Sequence, residues 1–162
     1  MRKHKSVLLK ETIDNLLFKN QGTFIDCTLG SGGHSLEVLK RMTGGDLICI
    51  DSDPKSIQDF AKILTETEFK ETTKHTFQKQ NIKVYLINDN FSNIQEICES
   101  LGIIEVDGVM ADLGWSMDQL KQIPGLSYED ESEELDMRLS NSLGVKAADL
   151  LNVLSFKDLS KM

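Results

Sequence analysis

Four polar clusters carry the residue types from which a binding or catalytic site is built. Gly30-Ser31-Gly32-Gly33-His34 joins glycines to the start of a helix. Glycines let the backbone turn tightly and approach a ligand without Cβ clashes, and a helix N-terminus presents free N–H groups to an anion. Neither nucleotide motif is matched: G-x-G-x-x-G needs glycine where Ser35 stands, and a phosphate loop needs G-K-[ST] at its end. The loop suits a ligand carrying a carboxylate, or serves only as a strand-to-helix turn. Asp51 lies 21 residues after Gly30, where a carboxylate accepts hydrogen bonds from two ribose hydroxyls and disfavours a 2′-phosphate. Phe91, after Asp89-Asn90, packs on a purine ring or belongs to the core. Asp112 to Gln119 (DLGWSMDQ) gathers carboxylates, a hydroxyl, an amide and the only tryptophan. Trp115 stacks on a base or covers the sheet edge. His34 caps its helix or touches the ligand. With His4 and His75 far away in sequence, no metal is expected.

The segments that must position these clusters follow from hydrophobic spacing. Val7 to Phe18 repeats apolar residues (Leu8, Ile13, Leu16, Leu17) at helical intervals. Thr23–Cys27, Leu47–Ile50, Lys83–Ile87 and Val106–Ala111 read as strands, with helices over His34–Met42, from Pro54 onward, and over Ser92–Leu101. Asp53-Pro54 is a helix start, with Asp as N-cap and Pro at the first helical position. Residues 66–82 are polar and aperiodic, and read as a loop or frayed helix extension. Strands alternating with helices make βαβ units, hence an α/β fold with a parallel sheet and right-handed crossovers. Each polar cluster then falls at the carboxyl end of a strand, where open parallel sheets bind ligands. Beyond Gly114 the strand signal stops. Ala147–Leu154 reads as a helix, and Ser155–Met162 begins another.

Composition narrows the class. The chain has 162 residues, 40% hydrophobic, with a net charge of −8, enough for a core and without the 18 or so continuous apolar residues of a membrane span. Residues 1–83 carry +2 and residues 84–162 carry −10, six of the acids lying between Glu129 and Asp136. Such a run reads first as a solvated loop. The basic opening is broken by Glu11 and Asp14, which does not fit a signal peptide. Cys27, Cys49 and Cys98 are odd in number and form no C-x-x-C, so a reducing cytoplasm is expected. An acidic chain argues against a nucleic-acid partner.

Taken in order, the blocks resemble a known family. Cys27 to Ser35 (CTLGSGGHS) resembles the G-T-x-G-x-G-G-H-S signature of bacterial 16S rRNA cytosine-N4 methyltransferases, the RsmH or MraW family. His4 to Leu9 is similar to that family's H-x-P-V-L-L start, and Asp51 to Pro54 to its D-x-D-P. Asp107 to Ser116 resembles D-G-[VI]-x-x-D-L-G-x-S, Gln119-Leu120 the following Q-L, and Leu135 to Leu139 resembles L-D-M-R-M.

The resemblance implies a Rossmann-like class I methyltransferase core using S-adenosylmethionine (SAM). It places Gly32, Gly33, His34, Asp51, Phe91, Asp112 and Gln119 around the cofactor, and Asp112 and Ser116 at the reacting amine. It implies a cytosine of the 16S rRNA decoding region, in the small ribosomal subunit, as substrate. Residues 1–115 would be the first half of the core, and 116–162 the start of an inserted helical substrate-recognition domain. The family is about twice this length, so the sheet is expected to be incomplete, with an exposed edge strand prone to self-association. The net charge of −8 then no longer excludes RNA. Departures include Ser6 for proline, Cys27 for glycine, Ser31 for arginine and Met117 for serine, and 66–82 has the look of an insertion. Two other readings are a SAM-binding domain without catalysis and a nucleotide-dependent dehydrogenase.

Overall fold

The computed structural model describes residues 8–114, 124–127, 132–138 and 143–162. It divides into two compact units, 1–113 and 114–162.

In the first unit, α1 (Leu9–Leu16) turns Ile13 and Leu16 inward. Leu8, expected on that stripe, is 67% exposed, because it precedes the helix in a left-handed conformation with φ 49°. Then come β1 (Gln21–Asp26), α2 (Gly33–Arg41), β2 (Gly44–Asp51) and α3 (Pro54–Glu66). Asp53 caps α3, its carboxylate accepting from Lys55 N at 2.8 Å, with Pro54 at the first turn. Next in the chain are β3 (Lys70–Thr73), β4 (Thr76–Lys79), β5 (Ile82–Asn88), a 3-10 turn (Phe91–Asn93), α4 (Ile94–Ser100) and β6 (Gly108–Met110).

The strands form one sheet in the order β3-β4-β5-β2-β1-β6. β5, β2, β1 and β6 run parallel, the mononucleotide-binding arrangement in which the chain works outward from β1 on one side and then crosses to the other. One sheet face packs Phe24, Leu47, Val84 and Leu86 against Ile57, Phe60 and Leu64 of α3 and Val38 of α2. The other buries Ile25, Ile48 and Ile50 with Ile97 of α4.

Residues 66–82 correct the loop or frayed-helix reading: β3 and β4 are an antiparallel hairpin that extends the sheet beyond β5. All four residues of β3 are exposed and only Phe77 of β4 is buried, so no alternation of apolar residues betrays the strands. They form because β4 pairs with β5 and because Phe69 and Phe77 complete the core. At the other edge β6 has three residues, and Val109 is 49% exposed.

In the second unit α5 (Ala147–Val153) and α6 (Phe156–Leu159) follow the acidic segment. Three of those acids are engaged. Arg138 donates to both oxygens of Asp136, at 2.6 and 2.8 Å, and to Leu143 O at 2.8 Å. Glu134 pairs with Lys146 at 2.7 Å, and Glu133 accepts from Gly125 N at 3.0 Å. The described part of the run is therefore a loop, exposed at Glu133 and Glu134, that is clamped by Arg138 and Lys146.

Candidate active site at the sheet switch point

The consecutive strands β5 and β6 lie on opposite sides of the β2–β1 pair, so the crevice between the carboxyl ends of β1 and β6 is the switch point of the sheet. The register aligns its walls, with Asp26 level with Met110 on one side and Cys49 on the other, and Asp51 level with Asn88.

From the end of β1 the glycine loop is held at three points. Asp26 is 2% exposed; its carboxylate accepts from Thr28 N at 3.0 Å before the loop and from Ser35 Oγ at 2.6 Å after it. Ser35 Oγ also lies 3.3 Å from Cys49 Sγ. The third point is Asp51, whose Oδ2 accepts from Gly30 N at 2.7 Å while Oδ1 accepts from Asp53 N at 2.8 Å. Asp51 thus braces both the loop and the entry to α3, a role beside any ligand contact. Gly32 caps α2 with φ 76°, and a Cβ there would lie 2.2 Å from the Phe60 ring. Only glycine fits. Lacking a side chain, Gly32 itself supplies no cap to the N-terminus of α2.

Across the crevice Asp112 N donates to Thr28 Oγ1 at 2.7 Å, which pins the segment after β6 to the end of β1. The exposed Asp112 carboxylate stands 3.8 Å from Nδ1 of the buried His34. Phe91 opens the 3-10 turn after β5 and is 40% exposed, so it is not a core residue. That turn is set by Asn90, which accepts from Ser92 N at 2.9 Å, and the strand end is tied to β2 by Asn88 Nδ2 donating to Asp51 O at 2.9 Å.

Burial pushes the carboxyl pKa of Asp26 up, against the hydrogen bonds from Ser35 and Thr28. Burial likewise raises Asp51, opposed by the N–H groups of Asp53 and Gly30. The Cys49 thiol, fully enclosed, is driven strongly upward and stays protonated.

Gly32, Gly33, His34, Asp51, Phe91 and Asp112 therefore stand along contiguous strand ends of one sheet. Trp115, Ser116 and Gln119 lie outside the described residues. Asp26, Thr28 and Ser35 were missed by sequence reasoning. The signal was a carboxylate closing a buried strand with a hydroxyl two positions on, which reads as polar punctuation until the pairings are seen.

Among solved structures, the chain resembles a Clostridium thermocellum protein designated an rRNA-methylase (TM-score 0.50, 21% identity, 69% of this chain and 54% of that one). A Streptococcus mutans protein designated a methyltransferase, crystallised with SAH, also matches (TM-score 0.49, 18% identity, 70% and 56%). The first of these likenesses marks the fold as Rossmann-like. In sequence the chain is 36% identical to the ribosomal RNA small subunit methyltransferase H of Finegoldia magna over 161 residues, covering 99% of this chain and 47% of that protein. The chain thus spans about half the length of the curated relative it matches. The profile of the MraW methylase family matches residues 1–162, and the chain belongs to that family.

Proposed function

We propose that this chain carries the cofactor-binding half of an S-adenosylmethionine-dependent enzyme that methylates the N4 amine of a cytosine in the decoding region of 16S rRNA. The observation that carries the reading is the switch-point crevice, where a helix N-terminus opened by a Cβ-free glycine, a ribose-suited carboxylate and an exposed aromatic ring follow one another along the strand ends. These fit the chemistry of SAM. The α2 N-terminus at Gly33 and His34, reached over the Cβ-free Gly32, suits a carboxylate. Asp51 retains lone pairs for ribose hydroxyls, and Phe91 offers a face to adenine. Gln119 completes the set by family resemblance. When bound, the cofactor supplies an electrophilic methyl on its sulfonium.

The chain's own work is at the amine. The cytosine N4 lone pair is delocalised into the ring, so the amine is a weak nucleophile and must be positioned in line and polarised. Asp112 is the acceptor for its N–H, held by the Thr28 bond and with His34 beside its carboxylate; Ser116 is the second. The target base leaves its stack to enter. Residues 1–115 serve as the first half of the core, and 116–162 open the substrate-recognition region. The small ribosomal subunit, in the cytoplasm, is the partner.

Calorimetric titration with SAM, S-adenosylhomocysteine and NAD tests this. Binding of the first two and not NAD is expected. NAD binding without SAM overturns the reading in favour of a dehydrogenase, and SAM binding without methyl transfer to rRNA, even with the residues its relatives have beyond this span, marks a binding module.

A further inference from the structure

We infer that the β3–β4 hairpin and the adjoining face of β5 form an RNA-backbone contact surface separate from the catalytic crevice. This rests on the RNA substrate proposed above. The register places Lys70, Gln78 and Lys83 side by side across β3, β4 and β5, and Thr76 beside Tyr85 one step on. Residues paired across strands share a face. Lys70 and Lys83 are thus separated by two strand spacings, about 10 Å, with an amide between them. Lys83 Nζ sits 5.8 Å from the centre of the half-buried Tyr85 ring, a cation–π contact that steadies the ammonium on this face while the ring packs against the core of Ile48, Ile50 and Ile97. Lys74 and His75 form the tip.

Charge selects the occupant. Lys70, Lys74 and Lys83 make no ion pair with the described acids, whereas Lys19, Lys40, Lys62, Lys79 and Lys146 all do. Of the nearby acids, Glu68 pairs with Lys79, and Glu71 accepts from His75 N and shares its row with Phe77 on the opposite face. Asp46, level with Lys83 on β2, is the remaining carboxylate of that row. In a chain of net charge −8, Lys70 and Lys83 in one cross-strand row and Lys74 at the hairpin tip suit a polyanion. The tip also stands at the right end of the sheet. Leu86 N donates to His75 O at 2.9 Å, two residues before β5 ends at the strand ends that carry the crevice. RNA seated there extends onto the hairpin.

Fluorescence anisotropy with a labelled 20-nucleotide single-stranded RNA, titrated at several salt concentrations, tests the surface in the full chain. The triple variant Lys70→Gln, Lys74→Gln, Lys83→Gln should bind at least about ten-fold more weakly, and its log K against log salt slope should shrink by about 2, as expected for three phosphates on a single strand. Tyr85→Leu, which keeps the packing, should lose a few-fold with the salt slope unchanged. Both variants should titrate SAM as the parent does. Equal affinity and slope in parent and triple variant overturn the proposal. So does a parent that binds SAM but no RNA, or one whose lysines take poly-glutamate in place of RNA, which would assign the face to an acidic protein. A parent that binds RNA through these lysines but no SAM supports the surface and overturns the methyl-transfer reading.

Discussion

The carboxylate of Asp51 and the backbone N–H of Gly30 meet at 2.7 Å where the ends of β2 and β1 lie side by side, closing a bond between residues 21 positions apart. One side chain therefore shapes the glycine loop and, in the function proposed above, also takes the ribose. Asp51→Ala should lower SAM affinity by roughly 10- to 100-fold, the range set by hydrogen bonds to a charged group at about 1.5–3 kcal/mol. Asp51→Asn should lose affinity too, yet stay closer to the parent in urea midpoint, because its carbonyl still accepts from one N–H. Because burial raises the Asp51 pKa and the ribose hydroxyls donate to the ionised form, SAM affinity should fall as pH drops through that raised pKa, at pH values above 3.8. Calorimetry across pH checks this, and a flat profile would remove Asp51 from the ribose.

Asp26 is a different kind of carboxylate, buried and serving only its neighbours. Asp26→Ala leaves the Ser35 hydroxyl and the Thr28 N–H without their acceptor, and should cost about 2–4 kcal/mol in urea unfolding. The pKa of Asp26 is raised in the fold by burial. Its contribution to stability is thus fully present below pH 3.8 and is lost as pH rises through the folded value. Asp26→Asn should flatten that decline, seen as a smaller difference in unfolding free energy between acid and neutral pH.

Gly32→Ala is expected to destabilise by about 2–4 kcal/mol, combining the left-handed φ of 76° with a Cβ driven into Phe60. Paring back the ring in Gly32→Ala/Phe60→Leu should relieve the clash but not the backbone strain. A double-mutant cycle read by thermal unfolding separates the two.

In the second unit, the Arg138 guanidinium gripping both oxygens holds the Asp136 carboxyl down at about 2. NMR titration should show that depressed value, and Arg138→Gln should return Asp136 toward the ordinary 3.8. The pair's contribution, complete above the ordinary carboxyl pKa, should fade as pH falls toward about 2. A normal Asp136 titration in the parent would dissolve the clamp.

Much of this protein was legible from residue order alone. Apolar periodicity located α2, α3, β1, β2 and β5 to within a few residues, and Asp53-Pro54 marked the start of α3, because these signals are local: capping, side-chain period and chain reversal act within a turn or two. The same locality put every polar cluster at a strand end. Tertiary structure decided what local signals could not carry. The hairpin at 70–79 exists because β5 offers it a partner edge, a long-range pairing that its polar, aperiodic residues do not announce. Asp26 found Ser35, Glu133 found Gly125 and Glu134 found Lys146 only when residues 8 to 12 positions apart, on different elements or loops, were brought within about 3 Å. A hydrogen bond depends on position in space, and sequence spacing specifies that position only within a single element.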